Sequence, residues 1–133
     1  MKEIQRRNID IGIAKHIGPY SDGVVVETLD HVRTLTSAGT PGMRSDGTIP
    51  KEFKEQAELA WANIGRLLDA AEMTKADLVS ITQYLVRRED LAVHGPIRKA
   101  FLGESRPASM LMLVAGLPWP DMLIEIRIEA TAA

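Results

Sequence analysis

The segment Ile124–Thr131, IEIRIEAT, decides the fold of this chain. Isoleucine occupies every second position at its start, and charged residues occupy the positions between them. Because successive side chains of a β-strand point to opposite faces, this alternation predicts a strand with one buried face. The other face carries the charged residues Glu125, Arg127 and Glu129.

The clearest helical pattern lies upstream, from about Pro50 to Met73. Its apolar residues follow one another at steps of one, three or four positions, which places them on one helix face. They are Phe53, Ala57, Ala60, Trp61, Ile64, Leu67, Leu68 and Ala71. Pro50 suits a first turn, where its missing N–H costs nothing. A second, shorter helix is predicted to begin near Gly95, with Pro96 in its first turn, and to end at Gly103.

Five further strands are predicted from β-branched and alternating residues. They are residues 2–13, Val24–Thr28, His31–Ala38, Leu78–Val86 and Ser109–Ala115. The element order is therefore β-β-β-α-β-α-β-β, an α+β fold with a five- or six-stranded mixed sheet and two helices on one face. We expect residues 1–133 to form a single domain, and Gly39–Gly42 to form a turn.

One face of the predicted sheet lacks a cover. Two helices can cover only one face, yet Leu78–Val86 and Met110–Val114 are apolar on both faces. An exposed apolar sheet face requires a partner, and the simplest partner is another copy of the chain. This imbalance alone predicts a homo-oligomer.

The composition excludes several classes of protein. The chain has 133 residues and no cysteine, so it can hold no disulfide, thiol nucleophile or cysteine-ligated metal. A formal net charge of −2 is unfavourable for nucleic-acid binding. The three histidines lack metal-ligand spacing, and we expect no metal site. No apolar run approaches the length of a membrane span and no signal peptide is visible, so we expect no membrane partner and a cytoplasmic location.

Two features are candidates for a functional site. Glu125 and Glu129 share one strand face about 13 Å apart, which is too far for a paired acid and base on one bond. Arg127 lies between them, so they form either a solvated ion-pair stripe or a stripe from which one carboxylate reaches a pocket between subunits. Tyr20 follows Gly18-Pro19, which would hold its phenol rigidly at a turn.

Several motifs resemble one known family. They are Ile17–Tyr20 (IGPY), Gly47–Pro50 (GTIP), Arg106–Leu111 (RPASML), Leu117-Pro118 and Leu123–Ile126 (LIEI). This pattern, which covers nearly the whole chain, is similar to that of the RidA/YjgF family, also called the endoribonuclease L-PSP family. The resemblance implies a chorismate mutase-like (bacillar) fold and a homotrimer. In such a trimer the sheets form a central barrel, the helices lie outside, and three clefts lie between subunits.

The resemblance also implies a chemistry. Family members hydrolyse reactive enamines and imines, such as 2-aminoacrylate, to a keto acid and ammonia without a cofactor. An arginine suits the substrate carboxylate, and a glutamate can orient water. The matching positions imply Glu125 and Tyr20 as catalytic residues. Substrate-binding positions for a small organic metabolite are then Ser109 and Arg127, together with the segment Ser37, Ala38 and Gly39.

The chain departs from the family at the position of the active-site arginine, which is Ser109 here. Arg106 lies three residues earlier, about 10 Å away and on the opposite face of an extended chain, so it cannot simply substitute. Arg127 or Arg33 could supply the charge instead. Gly95 stands where the family has asparagine, and Ser37-Ala-Gly39 replaces Ser-Gly-Gln. We therefore expect little 2-aminoacrylate deaminase activity.

Two functions remain open at this point. One is a cofactor-free hydrolase or deaminase of another enamine, imine or related reactive intermediate. The other is a non-catalytic trimer that binds a small molecule or a protein. Ribonuclease activity is suggested only by the family's older name, and the net charge of −2 argues against it.

Overall fold

The computed structural model describes residues 4–133, which form one mixed sheet with two helices against it. The strands are β1 (Gln5–Ile9), β2 (Gly23–Glu27), β3 (Arg33–Ser37), β4 (Thr40–Pro41), β5 (Leu78–Leu85), β6 (Ala108–Leu113) and β7 (Ile124–Ala132). The helices are α1 (Phe53–Ala70) and α2 (Leu91–Leu102). The α+β class and the mixed sheet are confirmed. Residues 2 and 3 of the predicted first strand lie outside the described residues.

Strand β7 lies inside the sheet, as its sequence pattern predicts. The strand order is β1-β2-β3-β7-β5-β6, and β4 also pairs with β7. Among the strands of residues 4–133, only β5 and β6 are parallel neighbours, because α2 connects them. The side chains of Ile124, Ile126 and Ile128 are fully buried beneath α1. Burial of each contributes roughly 1.5–3 kcal/mol, so the alternating isoleucines fix which face of β7 meets the helices.

The short strand β4 was not predicted from the sequence, which indicated only a turn at Gly39–Gly42. One side-chain amide of α1 holds this segment against the helix through two hydrogen bonds. Asn63 Nδ2 donates to the carbonyls of Pro41, at 3.1 Å, and Met43, at 3.0 Å. A side chain at Gly42 would overlap the backbone of Gln56, so only glycine permits this close approach to the helix.

Both helices begin elsewhere than predicted. Helix α1 starts at Phe53 rather than at Pro50, whose carbonyl accepts a hydrogen bond from Gln56. Helix α2 starts at Leu91, so the predicted start near Gly95 is wrong and Pro96 lies inside the helix. A 3₁₀ turn leads directly into α2, and Arg87 holds its last residue through two hydrogen bonds to the carboxylate of Asp90. Because the residue before Leu91 is anchored in this way, the helix forms although Pro96 has no backbone N–H to donate.

The sheet face away from the helices is open in the single chain. In β5–β7 it carries Thr82, Tyr84, Met110, Glu125 and Arg127, which the strand register places side by side. Met110 is 59% exposed there. The homo-oligomer predicted from this uncovered face stays a prediction. None of the helices within residues 4–133 is long and apolar enough to cross a membrane.

Candidate functional site

Glu125 lies on the open face of β7, where its carboxylate packs against the backbone of Gly39. A side chain at position 39 would overlap Oε1 of Glu125, so glycine is required for this contact. Burial raises the pKa of the Glu125 carboxyl above its usual value. Among the described residues, no side chain forms an ion pair or hydrogen bond with this carboxylate. It is therefore a half-buried acid with its oxygens available to a ligand or a water.

Tyr20 lies in the same neighbourhood as Glu125. Its ring packs on Gly18, where an added Cβ would lie 2.7 Å from Cε1 of the tyrosine. Burial raises the pKa of the Tyr20 phenol, and the nearby charges of Glu125 and Asp22 raise it further. The phenol therefore stays protonated at neutral pH and can donate a hydrogen bond. Its side chain is 47% exposed, so a ligand can reach it.

Asp22 joins the Tyr20 turn to the end of β3, and the sequence analysis did not identify this role. Its buried carboxylate accepts backbone hydrogen bonds from Ile11 and Ala14, both at 2.8 Å. Its own carbonyl accepts a hydrogen bond from the N–H of Ala38 at 2.9 Å. The only signal in the sequence is the pair Asp22-Gly23 at the start of β2, a dipeptide typical of turns, which does not indicate these partners.

Ser37, predicted to bind substrate, uses its hydroxyl inside the fold. The hydroxyl accepts a hydrogen bond from the N–H of Ile128 and donates one to the carbonyl of Ala38, both at 2.8 Å. The side chain is 4% exposed. In this chain Ser37 therefore positions Ala38 and Gly39 against β7, and its hydroxyl does not face a cleft.

The charged face of β7 is divided between two roles. Arg127, another predicted substrate contact, donates to Glu129 at 3.1 Å, and both side chains are about two-fifths exposed. Glu125 takes no part in this ion pair. Arg33, the alternative source of charge, donates to the carbonyls of Ala71 and Glu72 beyond the end of α1. The hydrogen bonds of Arg127 and Arg33 therefore go to groups other than the Glu125 carboxylate.

Ser109 lies on the other face of the sheet, the face that the helices cover. Its register partner in β5 is Ile81, whereas the partner of Glu125 is Tyr84. The two predicted site residues therefore point to opposite sides of the sheet, and one chain does not bring them together.

A chain of hydrogen bonds connects Ser109 to an arginine that the sequence analysis missed. The fully buried Gln83 donates from Nε2 to Ser109 Oγ at 2.9 Å and to the carbonyl of Met110 at 3.1 Å. Arg98 of α2 donates to Gln83 Oε1 at 3.0 Å. The sequence signal that could have indicated these hydrogen bonds is Gln83, a lone polar residue at a core position of β5.

The polarity of this chain follows from the chemistry of its members. A guanidinium can only donate, so Gln83 must turn its oxygen towards Arg98 and its amide nitrogen towards Ser109. Ser109 Oγ therefore accepts this bond, and its own proton is available to a further acceptor. The arrangement makes Ser109 a hydrogen-bond donor towards bound ligands.

Ser109 borders an open groove of about 570 Å³ between α2 and the start of β6. Its charged and hydroxyl-bearing lining residues are Arg98, Lys99, Ser105, Arg106 and Ser109. The expectation that Arg106 faces away from Ser109 is wrong, because β6 begins only at Ala108 and the chain before it is not extended strand. Three cationic residues and no acidic residue line this groove. Within residues 4–133, no three His, Asp or Glu side chains converge as a metal site would require.

Comparisons with known proteins agree on one family. The family model described as Endoribonuclease L-PSP matches residues 13–132. A RutC family protein of Pyrococcus abyssi is 34% identical over 114 residues, which cover 85% of this chain and 86% of that protein. A 2-iminobutanoate/2-iminopropanoate deaminase of Capra hircus is 33% identical over 135 residues, which cover 99% of this chain and 93% of that protein.

A solved structure shows the same similarity in three dimensions. The crystal structure of Escherichia coli TdcF with bound serine superposes with a TM-score of 0.75 at 25% identity. The match covers 100% of both chains. The fold is therefore shared along the whole length compared.

Proposed function

The chain belongs to the endoribonuclease L-PSP family, also called the RidA/YjgF family, and on this premise we propose that it hydrolyses the C=N bond of imino acids or their enamine tautomers. The Capra hircus relative, which matches 99% of the chain, is named as a deaminase of such compounds. The observation that carries the proposal is Glu125, a half-buried carboxyl with a raised pKa and no ion-pair partner among the described residues. No cofactor is needed for this hydrolysis.

The reaction consists of one addition and one elimination. Water adds to the imine carbon while the nitrogen takes a proton, and the resulting carbinolamine loses ammonia to leave a carbonyl. The net reaction consumes one water and releases one oxo acid and one ammonia. Glu125 orients the water and accepts its proton, because a raised pKa makes a carboxylate a better base near neutral pH. Glu125 passes that proton to the nitrogen to complete the carbinolamine, then takes the proton of the carbinolamine hydroxyl and delivers it to the departing nitrogen, so both protons of the water end on ammonia.

Tyr20 and Gly39 support Glu125 in this scheme. The protonated phenol of Tyr20 donates a hydrogen bond to the substrate or to the attacking water. Gly39 has no side chain, which leaves space for the Glu125 carboxylate to pack against its backbone and so determines the position of that carboxylate. Ser37 acts one step further away, by holding the backbone of Ala38 and Gly39 in place.

We place the substrate in a cleft formed by two chains. Glu125 with Tyr20 lies on the open face of the sheet, and Ser109 with its groove lies on the helix side. The family resemblance implies a homotrimer with clefts between its subunits, and in our proposal such a trimer brings the open face of one protomer against the Ser109 groove of its neighbour. This arrangement also covers the exposed Met110. The mass in solution, measured by light scattering, should be three times 14.6 kDa.

We propose further that 2-aminoacrylate is a poor substrate, because Ser109 replaces the arginine that would bind its carboxylate. Ser109 can donate one neutral hydrogen bond, whereas an arginine offers a charged bidentate contact. The preferred substrate is then another imino acid whose anionic group is bound from elsewhere in the groove.

The proposal is tested with imino acids generated in situ by an amino-acid oxidase. The appearance of oxo acid is followed with wild-type protein, with Glu125→Gln and with buffer alone. Acceleration by the wild type that Glu125→Gln loses supports the proposal. If the wild type releases oxo acid no faster than buffer for every imino acid tried, the proposal fails.

The second candidate function is a non-catalytic trimer that binds a small molecule, and the observation that favours it is the missing arginine at Ser109. Such a protein would bind stable oxo acids yet leave the decay of imino acids unchanged. The same assay, combined with a direct binding measurement, separates the two functions.

A further inference from the structure

The groove beside Ser109 holds Arg98 in a prepared position. Its guanidinium donates to Gln83 Oε1 at 3.0 Å, and the fully buried Gln83 is itself fixed by Ser109 and the carbonyl of Met110. A guanidinium has five N–H donors, and this contact uses one of them. The remaining donors are available to an anionic ligand, at the place where the Ser109 hydroxyl can also donate.

A second guanidinium, that of Arg106, is held at the same groove. It donates to the carbonyls of Gly103 at 3.0 Å and Ser105 at 3.1 Å. This loop is fastened in turn, because the hydroxyl of Ser105 donates to the carbonyl of Lys75 at 2.8 Å. Arg106 therefore loses little side-chain freedom when it binds an anion, and such preorganisation favours affinity.

The charges of this groove are not balanced within the chain. Arg98, Lys99 and Arg106 line it, and none of the ion pairs formed by residues 4–133 includes any of the three. Like charges that share a groove repel one another, and an anion relieves that repulsion. A monocarboxylate would neutralise one of the three cations, whereas a dianion would neutralise two.

We infer that the substrate of this site carries two anionic groups, of which Arg98 binds the carboxylate next to the reacting carbon and Arg106 binds the distal one. This inference rests on the proposed function and narrows its substrate class to imino acids with a second acidic group. It also fits the presence of Ser109: Arg98 and an uncharged donor hold that carboxylate less tightly than an arginine at position 109 would, and Arg106 supplies a second contact that 2-aminoacrylate, with its single carboxylate, cannot use.

The test uses stable oxo acids, which correspond to the products of hydrolysis, as probes. Binding of 2-oxoglutarate and 2-oxopentanoate, which have the same carbon-chain length and differ in the distal carboxylate, is measured by isothermal titration calorimetry. The wild-type protein is compared with Arg98→Gln, Arg106→Gln and the control Arg88→Gln. Arg88 is exposed and lies outside the groove lining, so its variant removes one positive charge from elsewhere.

The expected result is a preference of about tenfold for 2-oxoglutarate in the wild type, since one charge-assisted contact distinguishes the two acids. Arg106→Gln should abolish that preference by weakening 2-oxoglutarate alone. Arg98→Gln should weaken both acids about tenfold, and Arg88→Gln should change neither. Equal binding of the two acids by the wild type, or equal weakening of both by Arg106→Gln, would overturn the inference.

The failure of this inference is distinguishable from the failure of the proposed function. Hydrolysis of imino acids without any preference for a second acidic group contradicts the inference and leaves the function intact. Selective binding of 2-oxoglutarate without hydrolysis of any imino acid contradicts the function and supports the assignment of the two arginines.

Discussion

The carboxylate of Glu125 packs directly on the backbone of Gly39, and no side chain fits between them. Two neighbouring strands produce this contact, because Pro41 of β4 pairs with Glu125 of β7. The position of the candidate base therefore depends on a residue that carries no functional group itself.

Gly39→Ala should displace the carboxylate and reduce kcat/KM roughly a hundredfold, as misplacement of a reacting group by about 1 Å can do. The fold should survive, because the carboxylate can move towards the open face of the sheet. Gly116→Ala is the matched control, since nothing lies within 4 Å of a Cβ there. If Gly39→Ala keeps full activity with an unchanged melting temperature, the placement of Glu125 is not important for catalysis.

The pH dependence of the rate should report the raised pKa of Glu125. The carboxylate is the active form, so activity should fall as the pH drops through a pKa above 4.5. Glu125→Gln should lower kcat roughly a hundredfold to ten-thousandfold and remove this acidic limb. A profile from pH 4 to pH 9 measures both effects. An acidic limb that persists in Glu125→Gln would assign it to another group.

Ser109→Arg should create or raise hydrolysis of 2-iminopropanoate, the imino tautomer of 2-aminoacrylate. A charge-assisted contact contributes about 1.5–3 kcal/mol, so kcat/KM should rise by roughly tenfold or more. Ser109→Met is the control, because it adds length without charge. If the wild type already hydrolyses this substrate at a rate that Ser109→Arg does not raise, our interpretation of the missing arginine is wrong.

The stability of the fold should decrease in mild acid because of His94. This histidine is fully buried in α2, and Trp61 Nε1 donates to its Nε2 at 3.3 Å. Burial, together with the nearby charge of Arg98, lowers the pKa of His94 from 6.5 to about 4. Between these values the unfolded chain binds a proton that the folded chain does not, so the free energy of unfolding falls as the pH drops below 6.5.

Linkage through His94 can cost up to ~3 kcal/mol by pH 4. Urea unfolding at pH 7.5 and pH 5 measures this loss in the wild type and in His94→Phe. The variant should be less stable at neutral pH, because Trp61 loses its acceptor, yet its stability should change less between the two pH values. An equal change in both proteins would show that His94 does not cause the acid sensitivity.

The regular elements could be predicted from the sequence because their patterns are local. The alternation in β7 and the three- to four-residue spacing in α1 each record one buried face, and the structure confirms both. The two-residue strand β4 is too short to show a period. The start of α2 was predicted too late in the chain, because Pro96 is unfavourable inside a helix. The helix nevertheless begins before it, directly after the anchored turn at Asp90.

The candidate site was harder to predict because its contacts join residues far apart in the chain. Tyr20, Gly39 and Glu125 were named from motifs, and the structure brings these three together. The role of Arg98 could not be foreseen, since it depends on the parallel register of β5 and β6 and on the packing of α2 beside them. That register also puts Ser109 and Glu125 on opposite faces, which motif spacing cannot show.

The central claim is that each site joins Glu125 of one chain to the groove of another, and subunit complementation tests it most directly. Glu125→Gln is co-expressed with the double variant Arg98→Glu, Arg106→Glu, and particles that contain both chains are isolated through two different tags. Each variant alone should be inactive. Mixed trimers should recover about a third of the wild-type hydrolysis rate, because every trimer that contains both variants has one of its three clefts with both halves intact. Mixed particles as inactive as either variant alone would contradict a site shared between chains.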